Sequence, residues 1–261
     1  EHRGHNIGII MSGLLIGILA SRAVSGSIGF WLGWRAVYLM AAMICATMII
    51  VMAKRFPKSR PSFSGNYAGL MRSMFGYIKS QPVLRETSAI NFLAFALISA
   101  FWTTMVLYLA NPPYNFETLR IGLFGIAGAA GALAAPLVGK LSDGGNPRKN
   151  LIKGFILQAL SIGLFYLTGN LIIFIIGIVL IDIAQQAIHV TNQTRIYSLI
   201  PEARNRLNTI FMSVSFIGAS CGSAIGLWLW DKGGWAMFCY GSIGLILLNV
   251  LIFYVYRKKY A

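Results

Sequence analysis

The sequence has few charged residues, and acidic residues are the rarest of them. Asp and Glu together number seven in 261 residues, and charged residues make up 11% of the chain, whereas soluble domains average roughly 25%. An enzyme needs acid, base or metal-binding groups that converge, and neither the HExxH nor the GxSxG spacing occurs. A nucleotide-binding GxxxxGKS/T loop is also absent. The sequence therefore argues against an enzyme, a metal or cofactor site, and ATP-driven transport.

Cysteine is scarce as well. Cys45, Cys221 and Cys239 are an odd number, and none of them has the CxxC spacing of a metal or redox site. All three lie inside apolar segments. We therefore expect packed, reduced thiols rather than disulfides.

The shortage of acidic residues leaves a formal net charge of +15 at pH 7. A nucleic-acid-binding protein gathers such charge on one patch, but here the basic residues lie in short pieces between apolar segments. That distribution is typical of a membrane protein that follows the positive-inside rule. We expect a lipid bilayer around the chain and no nucleic-acid partner.

The apolar segments are long. Hydrophobic residues make up 57% of the chain, and they form segments of about 18–23 residues, which at 1.5 Å per residue cross about 30 Å of hydrocarbon. They predict an all-α membrane protein with eight transmembrane helices. The predicted spans are 7–29, 34–53, 87–110, 120–140, 150–168, 171–191, 208–230 and 234–256.

The basic residues also orient these spans. With the N-terminus in the cytoplasm, 18 of the 22 Lys and Arg residues fall on the cytoplasmic side. Such a bias sets the topology, so we predict a multi-pass protein with both termini in the cytoplasm.

One long cytoplasmic loop, near 54–86, separates two spans from six. Apolar residues recur in it at helical spacing: Tyr67, Leu70, Met71, Met74 and Ile78. The stripe predicts an interfacial helix that lies on the inner leaflet. A helix packed on the cytoplasmic ends of the spans explains it equally well.

An internal repeat relates the first predicted span to the seventh. A shift of 201 residues aligns Glu1 and Arg3 with Glu202 and Arg204, and Gly33-Trp34 with Gly234-Trp235. Six spans separate the copies, so the repeat unit has six helices, and this even number gives both copies the same orientation in the membrane. The chain then divides into the last two helices of an N-terminal half at 1–53, the loop at 54–86, and a complete C-terminal half at 87–261. The repeat also predicts four further helices before residue 1, which gives twelve.

Short motifs resemble those of one transporter family. Gly139, Asp143 and Arg148 resemble its cytoplasmic G-x-x-x-D-x-x-x-R loop, in which acid and base latch neighbouring helices. The first span has Gly8, Gly17 and Gly26 at spacings close to a glycine motif of antiporters, with Arg22 in place of the motif's proline. The seventh span repeats the small residues at four-residue steps, as Gly218, Gly222 and Gly226.

With these motifs the chain resembles bacterial major facilitator superfamily transporters over essentially its whole length, most closely the drug/proton-antiporter-like efflux members. The resemblance implies a location in the bacterial inner (plasma) membrane and two six-helix halves that rock about a central site. It implies that Gly17, Gly26, Gly218, Gly222 and Gly226 allow close helix packing between the halves.

The sixth span carries a polar stripe. Six polar residues recur there at steps of three and four: Asp182, Gln185, Gln186, His189, Asn192 and Gln193. The resemblance makes this span the tenth helix of the family, one of four that line the central cavity. We therefore assign to the transport pathway Arg22, Asn91, Asp182, Gln185, Gln186 and His189.

Each of these residues also has a simpler explanation. Asp182 lies near the membrane midplane, where a carboxylate is costly and usually functional, but a purely structural acid is the alternative. His189 either relays protons or only forms hydrogen bonds. Arg22 either pairs with Asp182 or the substrate, or extends its side chain outward to the interface. Ordinary packing explains Asn91 equally well.

The sequence thus predicts a secondary active transporter, with proton-coupled efflux of a small organic solute as the expected activity. The partners that this implies are protons, the solute, the bilayer and the four preceding helices. The alternative is a remnant or interaction fragment of such a transporter that does not itself transport.

Overall fold

The computed structural model describes residues 17, 21, 24–56, 67–132, 146–167 and 169–260, and these residues are helical almost throughout, with no strand among them. Residues 24–32 are helical, and seven helices with defined bounds follow. They are α1 (Trp34–Arg55), α2 (Tyr67–Ser80), α3 (Pro82–Ala110), α4 (Thr118–Ala132), α5 (Pro147–Leu167), α6 (Leu171–Tyr197) and α7 (Arg204–Tyr260).

Five segments of the described chain are long and apolar enough to cross a membrane: α1, α3, α5, α6 and Pro201–Tyr256, which contains most of α7. The last segment has 56 residues, about twice what one crossing requires. It is interrupted at Gly233 and Gly234, whose backbone is not helical, so α7 consists of two helices, α7a (204–232) and α7b (235–260). The prediction of an all-α membrane protein is confirmed. The predicted spans 7–29 and 120–140 lie partly outside the described residues.

Several predicted spans are shorter than the helices observed, most clearly those of α3 and α6. α3 begins at Pro82 instead of residue 87, and α6 continues to Tyr197 instead of residue 191. Hydropathy marks where apolar residues stop, but a helix continues when its polar end finds hydrogen-bond partners. Here Glu86 and Arg195 pair with each other at these two helix ends.

The glycines of the repeated Gly-Trp pair share an unusual backbone conformation. Gly33 has φ 79° and ψ 166°, and Gly234 has φ 61° and ψ −146°. Extended ψ at positive φ is essentially restricted to glycine. The tryptophan that follows each glycine begins a helix. A turn that requires glycine directly before a helix therefore explains why the Gly-Trp pair occurs at both places.

The described residues form two compact units. In the first unit, α1 has no buried residue, and a Cβ on Gly26 would lie 3.2 Å from the Cα of Gly122. Gly26 is therefore a close-packing position, while no atom of the described residues lies within 4 Å of the corresponding point on Gly17. The second unit contains residues 73–115 and the described residues from 127 onward.

Close backbone packing of α3 against α7a is the main feature of the second unit. A Cβ on Gly218 would overlap the backbone of Phe92, one on Gly222 that of Ala96, and one on Gly226 that of Ala100. These glycines recur at four-residue steps, and the α3 residues that they contact recur at the same steps. These contacts join two helices of the second unit, and the predicted role of the glycines between the two halves stays a prediction.

We expect Gly222→Ala to lower the free energy of unfolding by about 1–3 kcal/mol, because the added methyl group has no room beside the Ala96 backbone. Gly244→Ala in α7b is the matched control, since none of the described atoms lies within 4 Å of its Cβ position and alanine favours a helix. Thermal unfolding of both variants in detergent checks this. Equal melting temperatures would contradict the packing.

The helix of the long loop, α2, packs on the ends of the spans. Met74, Tyr77 and Ile78 contact a core cluster that includes Leu84 and Phe211. In addition, the guanidinium of Arg85 donates hydrogen bonds to the carbonyl oxygens of Ile78 (3.2 Å) and Lys79 (2.8 Å) at the end of α2, where a helix has unpaired carbonyls. These contacts favour the packed alternative over a helix that only lies on the membrane surface.

Candidate functional site

The polar stripe of α6 divides into two faces. At about 100° per residue, Asp182, Gln186, His189 and Gln193 fall within about 60° of arc, and all four are partly exposed. Gln185 and Asn192 lie about 70–90° to one side, and both are buried in the second unit. The stripe is thus one accessible line of four residues, which we call the α6 polar line, with two buried neighbours.

The buried neighbours are not positioned like pathway residues. Gln185 is 7% exposed and Asn192 is fully buried, and neither side-chain amide has a hydrogen-bond partner among the described residues. Gln185 was predicted in the pathway, and its burial separates it from the α6 polar line. Its assignment to the pathway stays a prediction.

His189 and Asn91, both predicted from sequence, lie together in a polar cluster between three helices. Asn91 of α3 donates from Nδ2 to Oγ of Ser215 on α7a at 2.5 Å, and Ser215 donates to the carbonyl of Phe211 at 2.7 Å. Because the serine proton is used in that bond, Ser215 accepts from Asn91. Nδ1 of His189 lies 3.3 Å from Nδ2 and 3.4 Å from Oδ1 of the same Asn91 amide, so this amide can pair with the imidazole in either tautomer.

Aromatic rings enclose the imidazole. Phe211 stacks on the His189 ring with centroids 5.5 Å apart, and Phe95 lies at 5.3 Å in a tilted arrangement. Such rings restrict the rotation of the imidazole. The cluster therefore holds one imidazole in a fixed orientation on the α6 polar line.

Asp182 lies about two turns before His189 on α6, on the same line. A Cβ on Gly128 of α4 would lie 2.8 Å from Oδ2 of Asp182 and would overlap the Trp102 ring of α3. Glycine at position 128 therefore allows the carboxylate and the indole to lie against the α4 backbone. This places an acidic and an aromatic side chain side by side where three helices meet.

Hydroxyl groups continue the polar surface along α3. Ser99 and Ser223 share a hydrogen bond of 2.7 Å, and Thr103 donates to Ser223 at 3.2 Å. Ser223 follows Gly222 directly, so the close helix packing brings these hydroxyls together.

Sequence reasoning missed one functional candidate, the ion pair between Glu86 and Arg195. The Arg195 guanidinium donates to a carboxylate oxygen of Glu86 at 2.6 Å, and the side chains are 13% and 3% exposed. The pair joins the first turns of α3 to the last turn of α6. Glu86 was assigned to the loop because it precedes the apolar segment, although it is one of only seven acidic residues. The rarity of acidic residues was the signal in the sequence that could have identified Glu86 as a candidate.

Several predicted site residues lie outside the described residues, namely Arg22, Gly139 and Asp143. The third member of the loop motif, Arg148, lies in the first turn of α5. Its guanidinium carbon is 5.8 Å from the ring centroid of Phe253. The latch between Asp143 and Arg148 stays a prediction.

We expect Ser215→Ala to lower the free energy of unfolding by about 1–3 kcal/mol, because the buried Asn91 amide would lose its acceptor. Ser88→Ala on α3 is the matched control. Ser88 is also buried, but its hydroxyl has no partner among the described residues, so the change is expected to be neutral or stabilising. Chemical or thermal unfolding compares the two, and equal losses would contradict the cluster.

Comparison with known proteins places this arrangement in a family. The family model described as Major Facilitator Superfamily matches residues 1–152 and again 124–260. The chain is a multi-pass α-helical membrane protein, and it belongs to the Major Facilitator Superfamily.

Three relatives show the range of similarity. The Uncharacterized transporter YgaY of Escherichia coli O157:H7 is 38% identical over 255 residues, which are 97% of this chain and 65% of that protein. The Probable transporter SCO4007 of Streptomyces coelicolor is 31% identical over 242 residues, 92% of this chain and 56% of its own length. A Probable sugar efflux transporter of Helicobacter pylori (strain G27) is 26% identical over 263 residues, 97% of this chain and 64% of that protein. The chain thus spans somewhat less than two thirds of the length of these relatives.

Proposed function

We propose that this chain belongs to a secondary active transporter that exports a small organic solute in exchange for protons by alternating access. The observation that carries the proposal is the α6 polar line, on which Asp182 and His189 are partly exposed along an otherwise apolar helix. Ionisable residues inside a membrane are expensive and usually mark substrate, ion or proton pathways.

The chemistry of this surface favours a solute that forms neutral hydrogen bonds. Amide, imidazole and hydroxyl groups are provided by α3, α6 and α7a, while Asp182 is the acidic residue of the α6 polar line. The names of several relatives contain "sugar efflux transporter", which supports export and a hydroxylated solute. We also propose that the C-terminus lies in the cytoplasm and that the transporter is of the drug/proton-antiporter subtype.

We also propose the division into repeats, with 1–53 and 87–261 in two different six-helix halves joined by the loop at 54–86. The shared conformation of Gly33 and Gly234 supports it, because the same glycine-dependent turn precedes a helix in both copies.

Everted membrane vesicles test the proposal. With an acidic interior generated by respiration, a transported solute is expected to collapse part of the pH gradient, which acridine orange fluorescence reports. Neutral sugars and cationic drugs of similar size form the two solute panels, and vesicles without the protein are the control. Solute uptake without any effect on the pH gradient would contradict proton exchange, and no response to any panel member would contradict the proposed export.

A further inference from the structure

A cavity of about 280 Å³ lies beside the first turn of α5, and no residue of the α6 polar line is among those that line it. It is lined by Asn146, Arg148, Lys149 and Ile152 at the start of α5, and by Phe253 of α7b. Phe253 precedes the basic run Arg257-Lys258-Lys259 by four residues in the sequence, and such basic residues mark the end of a span. Both helices therefore place the cavity at one surface of the membrane, at headgroup depth.

The cationic side of the cavity has no acidic counterpart among the described residues. Arg148 and Lys149 each carry a positive charge, and the first turn of α5 contains no acidic residue. The side-chain oxygen of Asn146 accepts a hydrogen bond from the backbone N–H of Arg148 at 2.9 Å, so it caps the start of α5. The residues that line the cavity therefore carry a net positive charge.

The other side of the cavity is apolar and leads into the membrane. Ile152, Ile156 and Leu160 follow Arg148 at four-residue steps, and they are 42%, 53% and 55% exposed. Residues at this spacing form one row on a helix. Two cations at the membrane surface are therefore continuous with an exposed apolar ridge of about 12 Å along α5.

We propose that this cavity binds the phosphate of an anionic phospholipid, with one acyl chain along the ridge from Ile152 to Leu160. The combination of cations with an apolar ridge fits a lipid better than a free phosphate, which has nothing to place on the ridge. The absence of an acidic group in the first turn of α5 disfavours a zwitterionic lipid, whose ammonium group would lie beside Arg148 and Lys149. Basic pockets at the surface of helical membrane proteins bind such headgroups.

Each cation close to an anionic lipid contributes favourable binding free energy. Removal of both cations is therefore expected to weaken lipid binding by about thirtyfold. Native mass spectrometry measures this on the delipidated protein in detergent, titrated with dioleoyl-phosphatidylglycerol or dioleoyl-phosphatidylcholine. The test variant is Arg148→Gln with Lys149→Gln. Lys153→Gln is the matched control, because Lys153 is exposed on the same helix and does not line the cavity.

We expect the wild type and the Lys153 variant to prefer phosphatidylglycerol strongly, and the double variant to lose the preference. The charge-conserving pair Arg148→Lys with Lys149→Arg is expected to retain it, which separates loss of charge from a folding defect. Three results would overturn the proposal: equal binding of both lipids by the wild type, equal losses in the Lys153 and double variants, or displacement of the lipid by millimolar inorganic phosphate. Dihexanoyl-phosphatidylglycerol is expected to bind more weakly than the dioleoyl form, and equal affinity would contradict the acyl-chain ridge.

Discussion

Replacement of Asp182 by Asn is expected to reduce transport driven by a pH gradient to the level of vesicles that lack the protein, while the amount of protein in the membrane stays unchanged. Asp182 lies on α6 about 16 Å along the axis from Leu171, so it is near the centre of the hydrocarbon. Asparagine keeps the size of the side chain and its ability to form hydrogen bonds. It cannot bind and release a proton, and the loss therefore isolates that step.

Two controls make this prediction specific. Asp231→Asn makes the same chemical change at an exposed carboxylate near the end of α7a, and we expect wild-type transport. Exchange of labelled for unlabelled solute needs no net proton movement, so Asp182→Asn is expected to retain it. Full pH-driven transport in the Asp182 variant would show that this carboxylate is structural.

Replacement of Glu86 by Gln is expected to lower the free energy of unfolding by about 3 kcal/mol. Removing one partner of a buried ion pair leaves the other charge buried without compensation, at a typical cost of about 3–5 kcal/mol. The Arg195 side chain is 13% exposed, so some contact with water remains, and we expect the lower end of this range. Thermal unfolding in detergent, together with the yield of membrane-inserted protein, measures the effect.

The pair itself is tested by a double-mutant cycle. Glu86→Gln combined with Arg195→Gln is expected to recover most of the stability lost by either single variant, because no unpaired charge then remains. Glu202→Gln removes an exposed acid and is expected to change stability by less than about 0.5 kcal/mol. Additive losses in the double variant would show that the two residues act independently.

The helical class and the main spans were predictable because the bilayer imposes strong local constraints. A segment of about 20 apolar residues has few alternatives to a transmembrane helix. The ends of α3 and α6 were not predictable in the same way, since they depend on the pairing of Glu86 with Arg195 across 109 residues of sequence. Hydropathy carries no information about such a partner.

The candidate site was predictable in part for the same reason. Helical periodicity was enough to group Asp182, Gln186 and His189, and a stricter use of the 100° step would also have separated Gln185 from them. The contact of His189 with Asn91, 98 residues earlier in the chain, depends on how α3 packs against α6. Sequence named both residues as candidates, but it contained no signal that Ser215 completes the cluster.

Accessibility of single cysteines along α6 tests the central claim most directly. In a protein whose three native cysteines are replaced by alanine, we expect a water-soluble maleimide to label cysteines at Gln186 and Gln193, which lie on the α6 polar line, and transported solute to slow the labelling at Gln186. Cysteines at Gln185 and Asn192 are expected to stay unlabelled in the folded protein. Equal labelling at all four positions, or none at any of them, would contradict a transport pathway along this face of α6.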